Sequence, residues 1–70
     1  MNQLNRRRRH PSLLAWRRHL RLNQRDAAVI LRISQATYGR FELGVRAPKP
    51  RLGKAIAEKT GVPFEKVMGL

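Results

Sequence analysis

Apolar residues along this chain recur at helical spacing in five short runs. Leu13, Trp16 and Leu20 fall at i, i+3 and i+7, the spacing of one helix face. Pro11 and Ser12 precede them, so a first helix is predicted over about residues 11–21. Trp16 shares that face and reads as a core anchor rather than a base-stacking ring. Residues 24–42, QRDAAVILRISQATYGRFE, read as two short helices joined by a tight turn. Ala27, Ala28 and Leu31 point inward on the first, and Tyr38 and Phe41 on the second. Ile33 and Ser34 lie in the joint, and Ala28 is small where the helices must cross. Asn23 can cap the first of this pair, with Asp26 completing a capping-box-like arrangement. Ser34 can cap the second, whose predicted span is 35–43, stopping near Gly44. The loop GVRAPKP follows, with two prolines that disfavour helix. Pro50 suits the first turn of a fourth helix, with Leu52, Ala55 and Ile56 inward and Gly61 ending it after Thr60. Pro63, Phe64 and Val67 make a last short helix ending near Gly69. No segment alternates with period two between hairpin signals, so no sheet is expected. The fold class is all-α, a compact bundle of about five short helices.

The helix over 35–43 leaves Gln35, Ala36, Thr37, Gly39 and Arg40 outward. Small and hydrogen-bonding groups with one Arg suit a DNA major groove. Charge points to the same partner. There are 16 Lys and Arg against 4 Asp and Glu, a net +12 on 70 residues. Such a balance repels itself and fits a polyanion, whereas solubility alone does not need so one-signed a surface. The excess is concentrated, because residues 1–51 carry a net +11 and residues 52–70 only +1. Twelve of the 16 bases are Arg, which suits bidentate contact with phosphate or guanine better than Lys.

Residues 1–10 read as a flexible basic arm. Arg6, Arg7, Arg8 and Arg9 are consecutive and repel one another, and few apolar residues are there to hold them. The domain proper is then 11–70. The arm can enter a narrow A·T minor groove or attract phosphates without a fixed site, and both readings stand.

Length allows one small domain and no deep enzyme cleft. No plausible acid/base pair stands among four scattered acids, so no enzyme is expected and no cofactor. The absence of Cys removes disulfides and thiolate metal sites and fits a reducing cytosol. His10 and His19 have no further ligand at metal spacing, so no metal is expected; His19 reads as a solvated helix residue. No apolar run approaches 18 residues, so no membrane partner is expected, and the basic start is not followed by a signal segment.

Residues 13–68 resemble the Cro/phage-repressor type of helix-turn-helix domain, also called XRE-like. Gln24 matches the Gln at the start of that family's second helix. Ala28 matches its helix-crossing Ala, Leu31 and Ile33 its aliphatics, and Gln35 the opening of its recognition helix. Glu42, Gly44, Arg46 and Pro48 match Glu-x-Gly-x-Arg-x-Pro, and TGVPFEKVMG resembles the closing helix. Together, in order and at spacing, these matches are specific. Arg32 stands where the family's turn usually has Gly, a position tending to positive φ. Tyr38 stands where Val or Ile is usual, so the helix is expected slightly further out. Gly39 falls mid-helix, either to let the backbone approach DNA or as a tolerated surface glycine.

The resemblance implies a lambda-repressor-like bundle, with the second helix of the motif in the major groove and the first crossing the backbone. Gln35, Ala36, Thr37 and Arg40 then reach base edges. Gln24 at a helix N-terminus contacts phosphate, with Arg25, Arg32 and Arg46 further phosphate candidates; a plain solvated face stays open for Arg25 and Arg32. Arg17 and Glu42 are implied to be a structural ion pair. The family further implies a small transcriptional regulator, a repressor of a phage, plasmid or toxin–antitoxin operon. It would bind a palindromic double-stranded DNA operator as a homodimer, formed either beforehand or only on DNA, with Val67, Met68 and Leu70 as dimer candidates. A protein toxin is a possible partner. The expected location is the cytoplasm of a bacterium, on the nucleoid, the gene being bacterial or phage-borne.

Two other classes remain to weigh. An RNA-binding or ribosome-associated small basic protein shares the size and the Arg-rich arm, but not the ordered motif set. A membrane-active cationic peptide wants one long amphipathic helix, and these helices are short and broken by Gly and Pro.

Overall fold

Ser12 starts the first helix. Its Oγ accepts from the Ala15 N–H at 3.1 Å, with extended backbone at Ser12 and helix from Leu13 onward. The computed structural model of this chain describes residues 9–70, and among them the order is five helices with no strand. These are α1 Leu13–His19, α2 Gln24–Leu31, α3 Gln35–Leu43, α4 Pro50–Thr60 and α5 Phe64–Val67. The all-α expectation holds. Arg6, Arg7 and Arg8 lie outside the described residues; Arg9 is exposed.

Caps set the starts. Asn23 Oδ1 accepts from Asp26 N–H at 2.7 Å, and Ser34 Oγ from Thr37 N–H at 3.0 Å. Lys49 caps α4 without its side chain, and Pro50 at N1 leaves one donor fewer to satisfy.

The ends of α1, α2 and α3 share one geometry. Leu22 N–H reaches Arg17 O at 3.0 Å, Ile33 N–H reaches Ala28 O at 3.0 Å, and Val45 N–H reaches Arg40 O at 3.1 Å. Each bond closes around a left-handed residue: Arg21 at φ 58°, Arg32 at 60° and Gly44 at 79°. A side chain with a Cβ costs roughly 1 kcal/mol there relative to Gly. Arg32 meets the expectation from the sequence, and Arg21 is a second such site. It also corrects the first helix, which stops at His19 rather than near Arg21. Leu20 is the cap and stands 47% exposed instead of facing inward. The reversal at Arg21 hands its packing position to Leu22, which lies against the core.

That core is Leu13, Trp16, Ala27, Ala28, Leu31, Tyr38, Phe41, Ile56, Val62 and Val67. Burying a large apolar side chain contributes about 1.5–3 kcal/mol. Tyr38 is fully buried, so its phenol fills the core position that the sequence assigned to it. On α4, Ala55 is exposed, against expectation, and Ala57 packs instead. The inward stripe runs through Leu52, Gly53, Ile56, Ala57 and Thr60, which turns Ala55 to solvent. Thr60 Oγ1 donates to Ile56 O at 2.8 Å and accepts from Val62 N–H at 3.1 Å, which delivers Val62 into the core. Gly53 is buried under α5: a Cβ there would collide with Met68 Sδ and meet Phe64 Cε1 at 3.4 Å.

Candidate nucleic-acid interface

α3 is held in place through one carboxylate. Glu42 Oε2 accepts from Arg17 Nε at 2.7 Å and from the Tyr38 hydroxyl at 2.8 Å. Glu42 Oε1 accepts from Gln24 Nε2 at 2.9 Å and Arg17 Nη2 at 3.2 Å. Arg17 Nη1 also donates to Leu22 O at 3.0 Å, and the Tyr38 hydroxyl has Leu13 O as a second acceptor at 3.3 Å. α1, the α1–α2 turn, α2 and α3 therefore converge on Glu42. Its side chain is 8% exposed and that of Arg17 18%.

The electrostatics follow. Burial pushes the Glu42 carboxyl up, but hydrogen bonds from Arg17, Gln24 and Tyr38 outweigh it and hold the group below the usual carboxylate range. The hydrogen bond to Glu42 raises Arg17 despite some desolvation. Burial, then the bond to Glu42, lifts the Tyr38 phenol well above its ordinary value. At neutral pH the cluster is a charged pair with a neutral phenol and amide.

Fixed from behind, α3 presents Gln35, Ala36 and Arg40 to solvent, all exposed. Thr37 is half-buried; its Oγ1 accepts from Ser34 Oγ at 2.8 Å, so its hydroxyl proton stays available. Gly39 is also half-buried, beside α2: a Cβ built there meets Gln24 Oε1 at 3.6 Å. Arg25 lies exposed in the first turn of α2, Arg32 exposed at its C-terminal cap, and Arg46 exposed in the loop after α3. Gln24 is half-buried because its amide serves Glu42.

The pairing of α2 and α3 through a tight turn, with a polar outward face on the second, is a helix-turn-helix arrangement. The family model described as Helix-turn-helix matches residues 13–67. The chain belongs to the helix-turn-helix family of the Cro/C1 type. Helix-turn-helix proteins of this type are transcription regulators that bind DNA sequence-specifically, and this chain is one. No curated protein and no solved structure matches the chain. Among the described residues no helix is long and apolar enough to cross a membrane, and no group of three or more His, Cys, Asp or Glu could hold a metal.

Two participants in the helix-turn-helix network escaped the sequence reading. Tyr38 lies four residues before Glu42 on one helix face, a spacing at which side chains meet. Gln24 gave no such signal, because its partner is 18 residues away. Of the dimer candidates, Val67 is 4% exposed and belongs to the protomer core, since α5 turns it under α4. Met68 is half-buried and Leu70 is 84% exposed. Leu43 at 78% and Val45 at 70% add exposed apolar surface at the end of α3.

Proposed function

We propose that this regulator is a repressor that inserts α3 into the major groove of a palindromic operator. The exposed face of Gln35, Ala36 and Arg40, on a helix locked by Glu42, carries the proposal. Gln35 pairs with adenine, Arg40 with guanine, and the Ala36 and Thr37 methyls meet thymine methyls. α2 crosses the backbone, with Gln24, Arg25, Arg32 and Arg46 on phosphates. Gln24 can serve both roles, because its amide has two Nε2 protons, one for Glu42 and a second to donate to a phosphate oxygen. A second copy completes the palindrome, using Leu70, Met68 and the apolar end of α3. Residues 1–10 supply a basic arm to the 11–70 domain. The regulated operon is of phage, plasmid or toxin–antitoxin type.

The test is selection on random duplexes, read by sequencing, followed by Gln35→Ala and Arg40→Ala on the selected site. Each should cost about 1–3 kcal/mol and relax preference at one or two base positions. Full site preference in both variants would reassign the reading face. Preference for structured RNA over every duplex would replace the reading with RNA binding.

A further inference from the structure

Positive φ is confined among the described residues to Gly44, Gly61, Gly69, Arg21 and Arg32. Arg32 is already a phosphate candidate; Arg21 has no assigned role. Its side chain is exposed, and among the described residues it makes no hydrogen bond or ion pair. A left-handed arginine with no side-chain partner among the described residues weakens the fold relative to glycine at the same place. Helix-end electrostatics does not explain it, because Arg17, Arg18 and His19 already fill the last turn of α1.

Its setting, by contrast, is rigid. Leu22, the next residue, donates its N–H to Arg17 O and accepts from Arg17 Nη1, both at 3.0 Å. The same guanidinium holds Glu42 of α3 through Nε and Nη2. Three residues beyond Arg21, Gln24 bonds to the same carboxylate. One side chain therefore clamps the turn carrying Arg21 to α3, beside the N-terminus of α2. A cation on that turn has a fixed offset from the recognition helix.

We infer that Arg21 is a DNA phosphate contact that sets the docking register of α3, its left-handed backbone kept for that contact at the expense of stability. This rests on the major-groove reading above. The experiment uses the full chain and the duplex that the wild type selects, with Arg21→Gly, Arg21→Gln and Arg21→Lys. Arg21→Gly relieves the backbone and removes the charge, so Tm should rise, by roughly 4–8 °C for a domain of this size, while binding weakens. Arg21→Gln keeps the Cβ and removes the charge, so Tm should hold while binding weakens equally. Losing one phosphate contact lowers the slope of log affinity against log salt by about 0.9, or roughly eightfold in affinity at 0.1 M salt relative to 1 M. Base preference should stay unchanged, and Arg21→Lys should keep the slope.

A wild-type salt slope in Arg21→Gln overturns the contact. So does a loss in Arg21→Gly that Arg21→Gln does not share, because that loss would come from a loosened turn. If the wild type enriches no duplex at all, the DNA reading falls and Arg21 with it; a wild type that binds beside an indifferent Arg21→Gln removes Arg21 alone.

Discussion

Gln24 and Glu42 are joined by a hydrogen bond of 2.9 Å across α2 and α3. In the proposed docking, the residue assigned to a phosphate also helps to hold the helix assigned to the major groove. A phosphate drawn to Gln24 would pull on the carboxylate that orients α3. Backbone contact and base readout would then be mechanically linked at this point, and the Glu42 cluster is where mutation should separate folding from binding.

Glu42 has three partner residues and Arg17 has two, Glu42 and the Leu22 carbonyl. Glu42→Ala leaves the Arg17 guanidinium with only the Leu22 carbonyl, the Tyr38 hydroxyl with only the more distant Leu13 carbonyl and the Gln24 amide without its acceptor, and should cost about 2–4 kcal/mol. Arg17→Ala leaves the carboxylate two donors and should cost about 1–2 kcal/mol less than that. The double variant should lose clearly less than the sum. Urea melts of the four proteins decide it, and additive losses would show that the pair is not coupled.

Acid should unfold the protein partly through Glu42. Its folded-state pKa lies below the ordinary value of 4.5, so the unfolded chain binds its proton more readily. The stabilisation is complete above about 4.5 and is lost as pH falls through the lower folded value. Tm measured from pH 7 to pH 3 should therefore drop more steeply in the wild type than in Glu42→Gln. Parallel curves would mean that Glu42 carries no such linkage.

Most of the fold was legible because its signals are local. Ser12, Asn23, Ser34, Gly44 and Gly61 mark helix boundaries through their own chemistry, and Leu13, Trp16, Ala28, Leu31 and Ile56 keep helical spacing. The failures share a cause. Leu20 fits its helix stripe, but the left-handed turn at Arg21 moves the packing position to Leu22, and nothing in an arginine announces positive φ. Ala55 and Val62 depend on where α4 rotates and ends against α5, which is a tertiary property. At the candidate site the outward Gln35, Ala36 and Arg40 could be read from spacing, whereas Thr37 and Gly39, expected outward as well, are half-buried. The Gln24 bond to Glu42 could not, because it needs the crossing of α2 over α3, whereas the Tyr38 bond spans one turn of α3 and its spacing was open to reading.

Gly39 offers a test in which stability and binding should move in opposite directions. A Cβ at this position meets only the Gln24 amide, at 3.6 and 3.9 Å, which is ordinary contact. Gly39→Ala should therefore stabilise the helix by up to about 1 kcal/mol. The added methyl stands beside Gln24 on the half-buried edge of α3, where a close backbone approach to DNA would be blocked. Affinity for the selected duplex should fall while Tm rises. A rise in Tm with unchanged affinity would make Gly39 a tolerated surface glycine.

The last prediction concerns the arm. His10 N–H donates to Gly61 O at 3.2 Å, and its ring lies 5.0 Å from that of His19. A deletion that preserves this anchor removes residues 1–9, taking Arg6, Arg7, Arg8 and Arg9 together. Each phosphate neutralised adds roughly 0.9 to the slope of log affinity against log salt, so the deletion should flatten that slope by up to about 3–4 units. Low-salt binding should weaken on every sequence, whereas preference under α3 should hold, because phosphate contacts position and base contacts specify. An arm seated in the minor groove adds a second signature, the loss of an A·T preference beside each half-site. Salt titrations on the selected duplex and on a G·C-flanked copy separate the two arrangements. An unchanged slope on both would show that the arm does not touch DNA.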